Sequence, residues 1–404
     1  MAEASATPQL RRVLSLPWLV FYGVGVTVGA GIFALIGEII GIAGDHAPWS
    51  FAVAGVVAGF TALSFAALSA AYPRAAGEVI YVKEGIGPLA GRLVGYALLL
   101  TALMAASVIS LAFARYVASF SGVPEWAALA GVLVALCAIA IAGVKESVAA
   151  AALITALEVG TLLIVIAAGL PAAVSSGALW TVLAPPQEGA QWSAVLAGSF
   201  LAFFAFIGFE NIVNMAEETE DAARVIPRAV ILTLVISVTI YALAAAVAAA
   251  YADRAALVES KAPLAVLFEG TTGQPAAVIA AMASIAMVNG ILVQIVMASR
   301  VLYGMAGEGM MPPLLGRLHP RRQTPIAAIL LFTALIGLLA LTVPLISLAE
   351  MTSFVILVIF TLVNASLFLI GRRPEAPPGL RRWRWAGLLG ALVTLGLILS
   401  ELAS

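Results

Sequence analysis

Backbone amides and carbonyls freed where a helix breaks can hold a carboxylate and an ammonium, and two apolar segments of this chain have the composition to break. The first, residues 23–33, sets Gly23, Gly25, Gly29 and Gly31 around Thr27. The second, residues 203–210, places Gly208 between the rings of Phe203, Phe204 and Phe206 and the acid Glu210. Glycine costs about 1 kcal/mol relative to alanine in a helix interior. Each N–H or C=O opened in hydrocarbon costs several kcal/mol unless something binds it. A helix restarting near Gly31 presents its positive dipole end, so the N–H groups of Val28, Gly29, Ala30 and Gly31 suit a carboxylate. A helix ending near Phe206 presents carbonyls. Those of Phe204, Phe206 and Ile207, with those of Val26 and Thr27, suit an ammonium. One break for each charge matches an α-amino acid. Two plainer readings stand beside this one. Gly25-x-x-x-Gly29 is also a small-residue helix-packing face, and any ring of the second segment also suits lipid or core packing.

The acids are few, so each carries information. Residues 149–170 are apolar except for Thr155, Glu158 and Thr161. Counted at about 1.5 Å per residue from Ser147, Glu158 lies about 16 Å deep, level with Gly29 counted in the same way from Trp18. An ionisable group at that depth is a functional candidate. Three roles remain open for it: proton carrier, sodium ligand, or hydrogen-bonded structural acid. Glu210 follows the second break and fits either a helix-start carboxylate steadied by the dipole or a group that meets the ammonium directly. Glu217, Glu218, Glu220 and Asp221 read as a solvated loop.

The elements that must carry these residues are membrane spans. Hydrophobic residues make up 63% of the 404 and charged residues only 10%, against about 25% charged in soluble domains. Eleven apolar stretches are expected at roughly 18–43, 50–71, 88–119, 125–142, 147–170, 191–215, 228–251, 275–303, 325–343, 345–370 and 385–402. Residues 1–17 form an amino-terminal segment without the pattern of a cleavable signal. The connections 171–190 and 252–274 are too short and mixed to fold alone, and residues 374–380 read as a rigid turn. Positive charge sets the orientation. With the amino terminus inside, Arg115, Arg254 and Lys261 fall outside, while Arg11, Arg12, Arg74, Lys83, Arg92, Lys145, Arg224, Arg228, Arg300 and eight further arginines fall inside, out of 20 Lys and Arg in all. The expected location is therefore the cell membrane, with a cytoplasmic amino terminus. The single cysteine, Cys137, sits within the fourth stretch, so no disulfide-linked accessory subunit is expected.

The two broken segments are the first and sixth spans. Five spans apart, they run in opposite directions, which fits an inverted repeat of five plus five: 18–170 matched to 191–370, with 371–404 outside it. At this point the motifs resemble a known family. The run 23–33 is similar to the small-residue motif of the amino acid–polyamine–organocation transporters, which have the LeuT-type fold. So are Tyr72-Pro73-Arg74-Ala75-Ala76-Gly77-Glu78 and its continuation to Pro88, Gly208-Phe209-Glu210 with Ala216-Glu217-Glu218-Thr219 and Ile226-Pro227-Arg228-Ala229, the stretch 299–312, and Thr352-Ser353-Phe354. The resemblance implies an all-α polytopic membrane protein with broken first and sixth helices. It implies that the first break holds the substrate carboxylate, that Phe204 closes over the substrate and that Ile207 lines its side-chain pocket. Relatives place a lysine where this chain has Glu158. They commonly have twelve spans, where eleven are expected here.

The expected function is secondary-active transport of amino acids by an amino acid permease, as proton-coupled uptake of a neutral L-amino acid. The alternative is an exchanger of amino acids, polyamines or other organic cations, which would want several acids along the path; only Glu158 and Glu210 qualify. An intramembrane enzyme would need a nucleophile with its base or a metal centre. His46 and His319 fall in loops, no H-E-x-x-H is present, and there is no phosphate loop for ATP. A channel is disfavoured by the two breaks. No catalytic residue, metal or cofactor is expected; a proton gradient, or else a sodium gradient, supplies the energy. The expected partners are a small amino acid and the bilayer, with no nucleic acid.

Overall fold

The computed structural model describes residues 14–403 except 75, 144–147, 308 and 310. Arg11, Arg12, Ala75 and Lys145, named above, lie outside the described residues, as do 308 and 310 of the 299–312 motif.

Among the described residues the chain is helical, without a β-strand. The first span is two helices, α1 (Leu16–Thr27) and α2 (Ala30–Ala43). Then come α3 (Ala47–Ala71), α4 (Gly77–Gly85), α5 (Pro88–Ser121), α6 (Glu125–Ala142), α7 (Val148–Ser175) and α8 (Ala178–Leu183). The sixth span is α9 (Gly189–Phe206), continued after a break by a 3-10 segment, Phe209–Met215. The chain goes on through α10 (Ala222–Ala249), α11 (Arg254–Glu259), α12 (Pro263–Thr272), α13 (Ala277–Gly307), α14 (Ile326–Thr342), α15 (Leu345–Gly371) and α16 (Pro378–Leu402). Among the described residues nine stretches are long and apolar enough to cross a membrane, and α1 and α14 are shorter apolar helices. Every expected span has its helix. The chain is a polytopic all-α membrane protein.

Several details differ from the expectation. The connections hold helices of their own: α4, α8, α11 and α12. Helix α10 starts at Ala222 rather than 228, carrying Pro227 inside it. Helix α16 starts at Pro378, so the expected turn 374–380 gives up its last three residues. Proline is compatible with the first helical position, because the N–H it lacks would have no partner there.

The interior divides into two cores. The larger joins α1, α2, α3, α9, α10 and α15 around Phe33, Phe51, Phe65, Phe203, Phe209 and Phe360. Six of the ring contacts within it are edge-on or tilted pairs with centroids 5.1 to 6.0 Å apart, a geometry that adds about 0.5–1.5 kcal/mol per pair beyond burial. The smaller core is built from one face of α5 with α6, α13 and α14, around Leu129, Leu136, Ile291, Phe332 and Ile336. The three cations assigned to the outer side each meet an acid: Arg115 with Glu38 at 3.7 Å, Lys261 with Glu125 at 2.6 Å, and Arg254 with Asp45.

Helix α4 packs along α5 and α15, and its start meets the 3-10 segment. The Ala76 N–H donates to Asn214 Oδ1 at 2.9 Å, and a Cβ at Gly77 would stand 2.7 Å from Val213. Glu78, 2% exposed, is enclosed in the first turn of α4. Burial raises its carboxyl from 4.5 to about 8; its own backbone N–H works against the rise and the charge of Glu210 adds to it. The unfolded chain therefore releases this proton at lower pH than the folded one. The group's contribution to stability falls as pH rises between about 4.5 and 8 and is flat outside that window. Glu78→Gln removes the slope. Melting curves in detergent should coincide near pH 4.5, with the variant increasingly more stable up to pH 8. Parallel pH profiles for the two proteins would contradict this placement of Glu78.

Candidate functional site

The first break is two residues long. Helix α1 keeps its hydrogen bonding to the last turn: Thr27 Oγ1 donates to Gly23 O at 2.8 Å and the Val28 N–H to Val24 O at 2.6 Å. Gly29 (φ −94°, ψ −148°) then turns the chain, and α2 begins at Ala30. The Val28 N–H was expected among the free donors; its bond to Val24 removes it from that set. The donors at the start of α2 are those of Gly29, Ala30 and Gly31. No hydrogen bond to protein engages them among the described residues, as the first N–H groups of a helix require of an outside acceptor.

The second break is closed by its own acid. Helix α9 ends at Phe206, and the Ile207 N–H folds back to Phe204 O at 3.2 Å. Gly208 has φ +132°, a conformation that favours glycine. Its N–H donates to Glu210 Oε2 at 2.7 Å, and Glu210 is 4% exposed. A Cβ at Gly208 would stand 2.7 Å from Val26 O and 3.1 Å from Thr27 Cα. The two breaks therefore meet backbone to backbone. The Tyr241 hydroxyl on α10 lies 2.6 Å from Thr27 O and 2.9 Å from Ala205 O, and donates its one proton to this pair of carbonyls. Among the carbonyls expected to face an ammonium, those of Thr27 and Phe204 thus already accept one bond each; a carbonyl has a second lone pair to offer.

The four glycines of the first break have different duties. A Cβ at Gly23 would overlap Ile212 and Thr233, one at Gly25 would overlap Thr155, and one at Gly31 would stand 2.7 Å from Ala205 Cα. These three let α1 and α2 approach the 3-10 segment, α7, α9 and α10 closely. At Gly29 a Cβ would meet only Val26 O, at 3.8 Å. Packing and opening are both real, at different glycines. Phe204, 5% exposed, brings its ring to within 3.3 Å of the Cβ position of Gly31. Phe206 is fully buried and lies edge-on to Tyr241, centroids 5.1 Å apart, so its ring braces the tyrosine. Ile207 is half-buried.

Glu158 lies one helical turn beyond Thr155 on the same face of α7, the face that packs on α1. It is 3% exposed, and its Oε2 has no hydrogen-bond partner among the described residues. It stands within electrostatic reach of the Tyr241 hydroxyl. Tyr241 thus joins the two breaks and the deep acid. Sequence reasoning missed it, and missed Tyr116, whose hydroxyl donates to Phe33 O at 3.0 Å while its ring stands edge-on to Phe33. The signal was available: each is a polar-tipped ring deep within an otherwise apolar span, the same anomaly that marked Glu158. No cluster of metal-ligating side chains occurs among the described residues.

These contacts separate two substitutions that look alike in sequence. Gly29→Val has room for its Cβ, so it should keep the melting temperature of the parent and lose substrate binding, because its side chain covers the three donors. Gly31→Val has none and should lose stability as well, by about 1–3 kcal/mol for overpacking. Thermal melts with and without ligand check both; undiminished ligand binding by Gly29→Val would return that glycine to a packing role.

The family model for amino acid permeases matches residues 13–401. The chain is similar to an uncharacterised transporter of Mycobacterium tuberculosis, 32% identical over 98% of this chain and 88% of the relative. It is similar to the branched-chain amino acid permease BcaP of Bacillus subtilis, 27% identical over 93% of this chain and 85% of the relative. It is also similar to cationic amino acid transporter 4 of Mus musculus, 28% identical over 94% of this chain and 62% of that longer relative. Matched over nearly its whole length, the chain belongs to the amino acid permease family, within the amino acid–polyamine–organocation superfamily of membrane transporters.

Proposed function

We propose that this permease takes up a neutral L-amino acid across the cell membrane, with its amino terminus in the cytoplasm, and couples uptake to protons. The observation that carries the proposal is the set of unengaged donors at Gly29, Ala30 and Gly31, placed where the two helix breaks touch. The substrate carboxylate binds those donors, and its ammonium binds carbonyls of Val26, Thr27, Phe206 and Ile207. The side chain meets Ala30, Phe204 and Ile207, an apolar set. Glu210 Oε2 accepts from the Gly208 N–H, which supports a structural role for this acid over pairing with a basic substrate. The name of the Bacillus relative, a branched-chain permease, agrees with a neutral substrate.

A second reading has support of its own. Glu158 keeps a buried oxygen without a partner, and several relatives are named for cationic amino acids. A basic substrate side chain would be that partner. The two readings part on competition by arginine and lysine.

Transport follows from the division of the interior. We read α1, α2, α3, α9 and α10 as a bundle that rocks against a scaffold of α5, α6, α13 and α14; α5 and α13 face the bundle on one side and join α6 and α14 in the smaller core on the other. The repeat boundaries 18–170 and 191–370 place one broken span in each half.

Uptake into proteoliposomes tests the substrate. A neutral, medium or large L-amino acid should accumulate, and its methyl ester or N-acetyl form should compete at least tenfold more weakly, a loss of about 1.4 kcal/mol. Competition by putrescine with no effect of any α-amino acid would reverse the assignment.

Coupling is assigned to Glu158. Its protonation changes the charge beside Tyr241, and so favours one access state over the other. Accumulation should rise as outside pH falls from about 8 to 6 and collapse with a protonophore. Glu158→Gln should keep counterflow exchange and lose pH-driven accumulation. Accumulation driven by sodium with no response to pH would make Glu158 a sodium ligand instead, and full pH-driven accumulation by the variant would move the proton to Glu210.

A further inference from the structure

A trough runs along the outside of the bundle, away from the two breaks. Helices α10 and α16 both pack along α3 and make at most marginal contact with each other. Between them the surface of α3 forms a floor of small side chains, Ala66, Ala67 and Ala70, which leaves a groove of about 670 Å³. One wall is α10, with Arg224, Arg228 and Ile231; the other is the start of α16, with Trp383. Floor and upper walls are apolar. The charges sit together at one end, which the chain's charge asymmetry assigns to the cytoplasmic side.

These arginines are not consumed by the fold. Arg228 is exposed and has no acidic partner among the described residues. Arg224 lies 3.7 Å from Asp221, but both side chains are more than half exposed (78% and 58%), and such a pair contributes little. Asp221 is the acid that reaches a groove arginine; Arg381, Arg382 and Arg384 in the first turns of α16 add positive charge at the same end. Trp383, 43% exposed, is a ring of the kind that anchors at the headgroup level. An apolar channel open to the bilayer, ending in two unspent arginines and a tryptophan, has the charge and the polarity profile of one kind of molecule.

We propose that this trough binds an anionic phospholipid, with its phosphate at Arg224 and Arg228 and an acyl chain along the alanine floor. Basic recesses between helices at a cytoplasmic membrane surface suit anionic headgroups. The occupant is a lipid rather than a free phosphate, because the floor offers an acyl chain a long apolar contact and offers a small anion nothing. The site involves neither Gly29 nor Glu158, so its test is independent of the transport assignment. It does bridge α3 and α10 to α16, which makes lipid occupancy a means of biasing how the bundle moves.

Native mass spectrometry of the purified protein, titrated with phosphatidylglycerol or with phosphatidylcholine of the same acyl chains, is the test. Phosphatidylglycerol should be retained in preference. Each arginine near a membrane surface contributes about fivefold to anionic lipid binding. The double variant Arg224→Ala, Arg228→Ala should therefore lower retention roughly 25-fold, to near the phosphatidylcholine level. Ala66→Phe, which fills the floor and keeps both arginines, should also lower it. Lys83→Ala with Arg92→Ala, the same loss of charge elsewhere, should leave retention unchanged. Equal retention of the two lipids, an equal loss in the Lys83 and Arg92 control, wild-type retention by Ala66→Phe, or competition by glycerol phosphate at equal concentration would each overturn the proposal.

Discussion

A helix opened inside a membrane must find partners for the backbone groups it frees, since the lipid around it offers none. The structure answers this demand mostly from within. Val28 bonds back to α1, Ile207 bonds back to α9, Glu210 takes the Gly208 N–H, and Tyr241 takes a proton to the carbonyls of Thr27 and Ala205. Among the described residues, the N–H groups of Gly29, Ala30 and Gly31 at the start of α2 keep no acceptor within the protein.

Close packing follows from the same demand. The one hydroxyl of Tyr241 reaches a carbonyl of each broken span only if the spans touch, and they touch only where no Cβ intervenes, at Gly208 against Val26 and at Gly31 against Ala205. A ring system of Phe65, Phe203, Phe206, Phe209, Phe360 and Tyr241 then fills the space around the junction. Glu158 stands within electrostatic reach of that tyrosine, whose hydroxyl bonds to a carbonyl beside each of the two helix ends.

Much of this was legible in the sequence, for reasons that also mark where legibility ends. The spans were readable because hydropathy is a local property, and the two breaks because glycine in a spanning helix is costly. The individual glycines were not distinguishable: Gly25, Gly29 and Gly31 differ only in what other segments bring to them, Thr155, open space and Ala205. Tyr241 and Tyr116 escaped notice because their partners are backbone carbonyls 214, 36 and 83 residues away, which carry no residue-type signature. Helix α4 was hidden in a polar connection because its burial comes from α5 and α15, helices that follow it in the chain, and not from its own hydrophobic pattern. The charge of Glu78 gave no hint that it would be enclosed.

The central claim is that backbone amides at the start of α2, and not a side chain, hold the substrate carboxylate. Hydrogen–deuterium exchange of the purified protein, followed at the peptide covering residues 28–33, reads those amides directly. Saturating substrate should slow their exchange, and the methyl ester of the same amino acid, at equal concentration, should leave it unchanged. Protection that appears elsewhere while residues 28–33 exchange at the ligand-free rate would contradict the account.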